Sequence, residues 1–204
     1  HNQGTLTTNN VLFTNNGRAV YNNNATFIAN NSTFSYNVSG DGGAIYNDGG
    51  STLVATNNTF YGNTGTNGGA VYNDVGGIMT FTHNTFVNNT ANTGGAIYHN
   101  LSTTPSLFGN LISGTGTQCY QITADASNIT DNACDNATVV GDLLLGAFTG
   151  RVVPLTGGSP AIDFNTTPCV VATDQLGAAR PYGAGCDAGS IEAGVVNTIL
   201  NANV

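Results

Sequence analysis

Apolar and polar positions alternate along the first half of the chain in short runs, as in Thr33-Phe34-Ser35-Tyr36 and Ala44-Ile45-Tyr46, and each run is cut by Gly-Gly or by asparagines. Alternation of this kind predicts short β-strands joined by tight turns. A helix would need apolar residues at i, i+3, i+4 and i+7, and no window sustains that spacing without a glycine inside it. The runs also recur. Gly42-Gly43-Ala44-Ile45-Tyr46-Asn47 returns as Gly68-Gly69-Ala70-Val71-Tyr72-Asn73 and as Gly94-Gly95-Ala96-Ile97-Tyr98-His99, while Phe34, Phe60 and Phe86 keep the same interval of 26 residues. A fixed period between about 20 and 50 residues marks a solenoid or array, in which each unit buries its apolar face against its neighbours.

A leucine-rich repeat needs several leucines per unit, and the segment from Phe34 to Thr59 holds only Leu53. A propeller blade needs about 40 residues or more. A parallel β-helix with one coil per repeat remains, and it stacks residues one period apart at about 4.8 Å, the strand spacing. Phe34, Phe60 and Phe86 then form an aromatic column, Ile45, Val71 and Ile97 an aliphatic one, and Ala44, Ala70 and Ala96 a narrow one beside it. Asn37, Asn63 and Asn89 align too, and stacked amides pass hydrogen bonds from coil to coil. The Gly-Gly pairs mark turns that need positive φ or close backbone approach.

Composition narrows the class. The 204 residues carry a net charge of -8, no lysine, and only Arg18, Arg151 and Arg180 as strong bases, so no basic patch exists to meet nucleic acid or an anionic membrane. No run of 18 apolar residues occurs, so no membrane-spanning helix is expected, and no signal-peptide core opens the chain at His1. Cys119, Cys134, Cys169 and Cys186 all lie beyond the repeats and fit no zinc spacing. Bridges from Cys119 to Cys134 and from Cys169 to Cys186 would each stabilise by about 3 kcal/mol and imply an oxidising, extracytoplasmic setting. The alternative is four buried free thiols.

The residues also carry two resemblances. Phe34-x-x-Asn37, Phe60-x-x-Asn63 and Phe86-x-x-Asn89, each followed by Gly-Gly-Ala-Ile/Val, resemble the paired repeats of polymorphic outer-membrane protein passengers and related right-handed β-helix surface proteins. A degraded copy stands at Phe13-Thr14-Asn15-Asn16 with Ala19-Val20-Tyr21, where Arg18 replaces the second glycine, so the first coil is expected to be irregular. Further on, Gly158-Ser159-Pro160-Ala161-Ile162-Asp163, Cys169, Thr173-Asp174-Gln175-Leu176-Gly177, Arg180-Pro181 and Cys186-Asp187-Ala188-Gly189 through Glu192 resemble the closing signature of the choice-of-anchor Q family of bacterial surface or secreted β-helix proteins. The resemblances imply display at the cell surface or outside the cell, and no activity comes with them. The expected architecture is all-β: one right-handed parallel β-helix domain over 1–194, with regular repeats in 9–100 and irregular disulfide-bonded coils in 101–194. A β-prone tail over 195–204 follows.

Candidate chemistry is sparse. Asp48 and Asp74 fall one period apart, hence about 5 Å apart on adjacent coils, near the carboxylate separation of a retaining glycosidase. Both follow Tyr-Asn at an expected turn, where Asp is common for its backbone hydrogen bonds, and no acid, base and cation share a column, so the protein is read as non-enzymatic. The same pair is the one candidate calcium site, although two carboxylates fall short of the oxygens a hard cation needs; no other cofactor is expected. His83 and His99 replace Asn in their columns and are read as surface variants. Ten N-x-S/T sequons occur. Asn37 belongs to the inward ladder, which leaves Asn24, Asn30, Asn31, Asn57, Asn88, Asn100, Asn128, Asn136 and Asn165 as candidate glycosylation sites.

Function is read from the ends. Leu6 through Phe13 leads straight into coil-like sequence, and the tail presents Val195, Val196, Ile199, Leu200 and Val204 as β-prone positions. A solenoid with open strand edges adds further strands, so the expected partner is another copy of the chain, joined head to tail in an extracellular filament. The alternative is a surface adhesin or glycan binder with Tyr36, Tyr61 and Tyr120 on one face; a polysaccharide-degrading enzyme ranks third.

Overall fold

The computed structural model describes residues 1–132, 134–165 and 168–194. The first coil supplies β1 (Thr5–Asn9), β2 (Leu12–Thr14) and β3 (Val20–Asn22), and the second β4 (Thr26–Asn30), β5 (Thr33–Ser35) and β6 (Ile45–Asn47). Next come β7 (Thr52–Thr56), β8 (Thr59–Tyr61) and β9 (Val71–Asn73), then β10 (Ile78–Thr82), β11 (Thr85–Val87) and β12 (Ile97–His99). The coil after these gives β13 (Ser106–Phe108), β14 (Leu111–Ser113) and β15 (Cys119–Tyr120), and the series ends with β16 (Ile129–Thr130) and β17 (Thr138–Val139). Equivalent strands pair in parallel into three sheets, ordered β1-β4-β7-β10-β13, β2-β5-β8-β11-β14-β16-β17 and β3-β6-β9-β12-β15. The chain is a parallel β-solenoid.

The expected columns exist. Phe34, Phe60 and Phe86 are fully buried, and with Phe13 they stack at centroid distances of 4.8, 4.8 and 4.6 Å. Burying each ring is worth about 1.5–3 kcal/mol and each stacked pair about 0.5–1.5 kcal/mol more. Ile45 pairs in register with Val71, and Val71 with Ile97. The Gly-Gly turns need both properties of glycine: Gly68 has φ 64°, and a Cβ on Gly69 would stand 2.1 Å from the Gly95 carbonyl oxygen. In the first coil, Arg18 stands where the later coils have the second glycine of the pair. Its Nη2 donates to the Asp41 carbonyl at 2.7 Å and its guanidinium lies over the Tyr21 and Tyr46 rings.

Among the described residues three asparagine ladders run through the interior, where the sequence suggested one. Asn16, Asn37, Asn63 and Asn89 are linked amide to amide at 2.9 Å. Asn58, Asn84, Asn110 and Asn128 form a second, and Asn2, Asn22, Asn47 and Asn73 a third that ends on His99. Each amide also serves the backbone. Asn63 Nδ2 donates to the Phe34 carbonyl while its Oδ1 accepts the Asn37 N–H. A buried amide whose donors and acceptor are all used costs little to bury and fixes register.

The coils change length at both ends. Ser35 meets Thr14 across 21 residues, the regular coils span 26, and Asn110 meets Asn128 across 18. The narrowing end is stapled by Cys119–Cys134, and Cys169–Cys186 bridges the later segment.

The irregular coils expected over 101–194 stop at β17. Among the described residues, 141–194 hold no strand beyond isolated bridges, and this segment folds back as a strap along the seven-stranded sheet. The reason lies on that sheet's outer face, which is apolar at Val87, Leu111 and Ile129; Leu143, Val153, Ala161 and Ala188 bury it. Thr33, Thr59 and Thr85 receive the rest of the strap. Gln175 Nε2 donates to Thr33 Oγ1 at 3.0 Å, Thr59 Oγ1 donates to Gln175 Oε1 at 2.6 Å, and the Ser190 N–H donates to Thr85 Oγ1 at 2.8 Å.

Candidate functional site

Asp48 and Asp74 follow the paired residues Asn47 and Asn73 on neighbouring coils, as the period requires. Each carboxylate is already engaged. Asp48 accepts the Tyr21 hydroxyl at 2.9 Å and the Gly49 N–H at 2.9 Å; Asp74 accepts the Tyr46 hydroxyl at 2.7 Å, the Val75 N–H and the Asn100 amide. Burial pushes the Asp74 carboxyl up, but the bonds from Tyr46, Val75 and Asn100 outweigh it and hold the group below its ordinary value. The same Asp74 bond, after burial, raises the Tyr46 phenol. Both aspartates thus close turns and anchor tyrosines. Among the described residues no group of three His, Cys, Asp or Glu side chains gathers to hold a metal.

The anchored tyrosines belong to a column that sequence reasoning passed over. Tyr21, Tyr46, Tyr72, Tyr98 and Tyr120 stack along the outer face of one sheet at 5.1, 4.9, 4.9 and 4.7 Å, and the His1 ring lies on Tyr21. Ring faces are spent on neighbouring rings, the Tyr21 and Tyr46 hydroxyls are spent on Asp48 and Asp74, and Tyr72 is buried, so the column offers solvent little beyond ring edges. The three tyrosines expected on one adhesive face separate. Tyr120 joins this column, whereas Tyr36 and Tyr61 meet Phe148 of the strap: Phe148 stacks on Tyr61 at 4.2 Å and meets Tyr36 edge-on at 6.1 Å.

The histidines are not surface variants. His99 is fully buried, accepting from Asn73 Nδ2 at Nδ1 and donating from Nε2 to the Thr103 carbonyl at 2.9 Å. His83 is buried beneath the strap with Nδ1 3.1 Å from the Asp187 carbonyl, and Nε2 has no partner among the described residues. Burial, then the Arg180 charge, drives it down to about 3. Around it the strap folds on its own charges. Arg180 pairs with Glu192 at 2.5 Å and donates to the Asp187 and Gly189 carbonyls. Asp174 accepts the amides of Leu176, Ala178 and Glu192, and Asp187 accepts those of Asp163 and Ala193. The motif residues of this segment therefore build the strap.

Three candidate glycosylation sites are corrected. Asn57 is 4% exposed and donates to the Thr173 carbonyl at 2.7 Å, Asn128 is the buried last rung of a ladder, and Asn165 is buried opposite Cys186. A folded coil leaves no room for sugar at any of them. Asn24, Asn88 and Asn136 are exposed; Asn30, Asn31 and Asn100 are half-buried. The tail positions Val195, Val196, Ile199, Leu200 and Val204 lie outside the described residues.

A family model described as the Chlamydia polymorphic membrane protein repeat matches residues 31–48 and 85–100. The matched stretches contain Phe34, Asn37, Gly42-Gly43 and Asp48 in one case and Phe86, Asn89, Gly94-Gly95 and His99 in the other, the residues that form the stack, the ladder and the turns. The chain is a parallel β-solenoid, and these two stretches of it are similar to that repeat. No curated protein and no solved structure matches it.

Proposed function

We propose that the protein is a surface-displayed structural β-helix whose copies join head to tail, the C-terminal tail of one adding to the first coil of the next. The observation that carries this reading is the first coil itself. Among the described residues, β1 and β2 each pair with a strand on one side only, and β3 has on its other side just the single bridge from Asn2 to Asn22. Val11 and Leu12, 36% and 54% exposed, stand beside an apolar pocket of about 110 Å³ that Thr33, Gly150 and Arg151 help to line. Strand addition supplies main-chain hydrogen bonds, apolar side chains set register, and a head-to-tail contact propagates into a fibre unless its rotation closes a ring. The tail from Val195 to Val204 is the donor in this reading. Surface display is supported by the membrane-protein repeat, and the two disulfides accord with an oxidising compartment.

Electron microscopy and sedimentation of the 204-residue chain, beside a version ending at Gly194, test the assembly. The intact chain forms fibres and the shortened one does not, with unchanged circular dichroism. Equal polymerisation of both, or an intact chain that stays monomeric at high concentration, overturns the reading. Catalysis has no part in it. Turnover of pectin, alginate or a neutral glycan that Asp48→Asn or Asp74→Asn abolishes would show these aspartates to be more than turn anchors. The meeting of Tyr36, Tyr61 and Phe148 favours a second reading, glycan binding at the surface.

A further inference from the structure

Where the strap leaves the solenoid, the two enclose a cleft of about 410 Å³, within the roughly 300–1,000 Å³ range of small-ligand sites. Asn88, Ser113 and Asp131 line it from the solenoid and Asp142 and Phe148 from the strap, with the stacked pair of Tyr61 and Phe148 as an apolar wall. The carboxylates are held in place. Asp131 accepts Ser113 Oγ at 2.5 Å and the Gly114 N–H at 3.2 Å, and Asp142 accepts the Leu144 N–H at 2.8 Å through Oδ1.

This lining selects its ligand by charge and by hydrogen bonding. Carboxylates only accept, so the ligand must bring donors. No Arg or Lys lines the cleft, so an anion meets two negative charges and no compensation. A divalent cation would want about six to eight oxygens and gains nothing from an aromatic wall. A pyranose answers each feature. Its hydroxyls donate to Asp131 and Asp142, the Asn88 amide both donates and accepts, and its C–H face packs on an aromatic surface.

We propose that this cleft is a binding site for a neutral saccharide. It stands independently of fibre formation. The sugar could belong to another molecule or be one attached to this protein at Asn88, itself a sequon on the rim, and the experiment separates these sources.

Chain made without glycosylation is titrated, at a concentration where sedimentation shows a single species, with neutral oligosaccharides and with oligouronates, by calorimetry and saturation-transfer NMR. At least one neutral oligosaccharide binds with a Kd at or below about 1 mM, and the uronates do not. Asp142→Asn weakens binding about tenfold or more, because a hydrogen bond to a charged acceptor is stronger than one to a neutral acceptor. Phe148→Leu, which keeps bulk and loses the ring, weakens it as well, with unfolding midpoints confirming that both variants fold. Glycosylated chain that loses this affinity, and regains it in Thr90→Ala, which removes the sequon and keeps the Asn88 amide, identifies the attached sugar as occupant; affinity unchanged by glycosylation assigns the site to sugar on another molecule. No neutral oligosaccharide bound at about 10 mM, uronates bound equally well, or calcium alone bound and released by Asp142→Asn, each overturns the proposal.

Discussion

Two buried groups where the strap meets the solenoid titrate in opposite senses, and removing either one uncovers the other. Burial and the Arg180 charge push His83 from 6.5 to about 3. Burial raises Asp187 from 3.8 to about 6, against the amides of Ala193 and Asp163 that favour its ionised form. In the unfolded chain both return to their ordinary values. His83 therefore contributes stability that is complete above pH 6.5 and is lost as the pH falls toward 3, because the unfolded state takes a proton that the folded state refuses. Asp187 runs the other way: between pH 6 and 3.8 the folded state holds a proton that the unfolded chain has released, so stability is gained as the pH falls through that window. Each slope is about 1.4 kcal/mol per pH unit, so from about pH 6 to pH 4 the two cancel. His83→Asn places a residue tolerant of positive φ where the backbone has φ 51° and leaves Asp187 unopposed. Relative to the wild type, its unfolding free energy rises by about 1.4 kcal/mol per unit of acidification across the window, about 3 kcal/mol in all. Asp187→Asn leaves His83 unopposed and falls at the same rate. Urea unfolding at several pH values measures both, and taking differences from the wild type cancels the background of the other carboxylates. Slopes within about 0.3 kcal/mol per unit of the wild type in both variants would refute the buried-pair account.

Asn63→Ala strands the Asn37 donors and the Phe34 carbonyl in the interior and leaves Asn89 Oδ1 only the backbone N–H of residue 63, and urea unfolding should show a loss of about 3–5 kcal/mol; a loss below about 1 kcal/mol would mean the ladder carries little. Gly69→Ala drives a Cβ to 2.1 Å from the Gly95 carbonyl oxygen and should cost about 3 kcal/mol or more by the same assay. Gly17→Ala, with nothing within 4 Å of the added atom, should stay within about 0.5 kcal/mol of wild type. Replacing Cys169 and Cys186 together by serine opens a 17-residue loop and should cost about 3 kcal/mol, with hydrogen exchange rising in the strap before it rises in the coils.

Periodicity made the coils legible. Phe34, Phe60 and Phe86 carry a strong signal because phenylalanine is rare enough for an interval of 26 to stand out. Asn37, Asn63 and Asn89 were legible because they travel with those rings. The other two ladders obey the same interval over Asn58, Asn84 and Asn110 and over Asn47 and Asn73, but asparagine is so common here that alignment alone distinguishes nothing. Coil shortening then breaks the interval at Asn22 and Asn128. The sequence alone does not place the column of His99 inside; once Asn47 and Asn73 are inward, an imidazole with one donor and one acceptor is the natural end of an amide ladder. The tyrosine column was visible in the Gly-Gly-Ala-Ile/Val-Tyr motif and needed only the alternation rule to be placed outside. The strap was not legible. It has no period, its contacts reach back more than a hundred residues through single side chains such as Gln175 and Ser190, and no local pattern encodes them.

The strap also acts as a gauge. A bare solenoid of identical repeats has no preferred length: excising one whole period rejoins every ladder, and duplicating one extends it, so repeat number can drift in steps of one coil. Here Gln175 and Arg151 must find the coil of Thr33, Ser190 the coils of Thr59 and Thr85, and the Asp187 carbonyl the ring of His83. Those distances along the axis are set within one covalent segment. Losing a coil between Thr33 and Thr85 would bring the wrong threonine under each contact and leave His83 or Asn57 facing the wrong carbonyl, whereas a coil gained before Thr33 would leave every contact untouched. The fold thus holds a fixed coil number under the strap and leaves growth open on the side of the first coil.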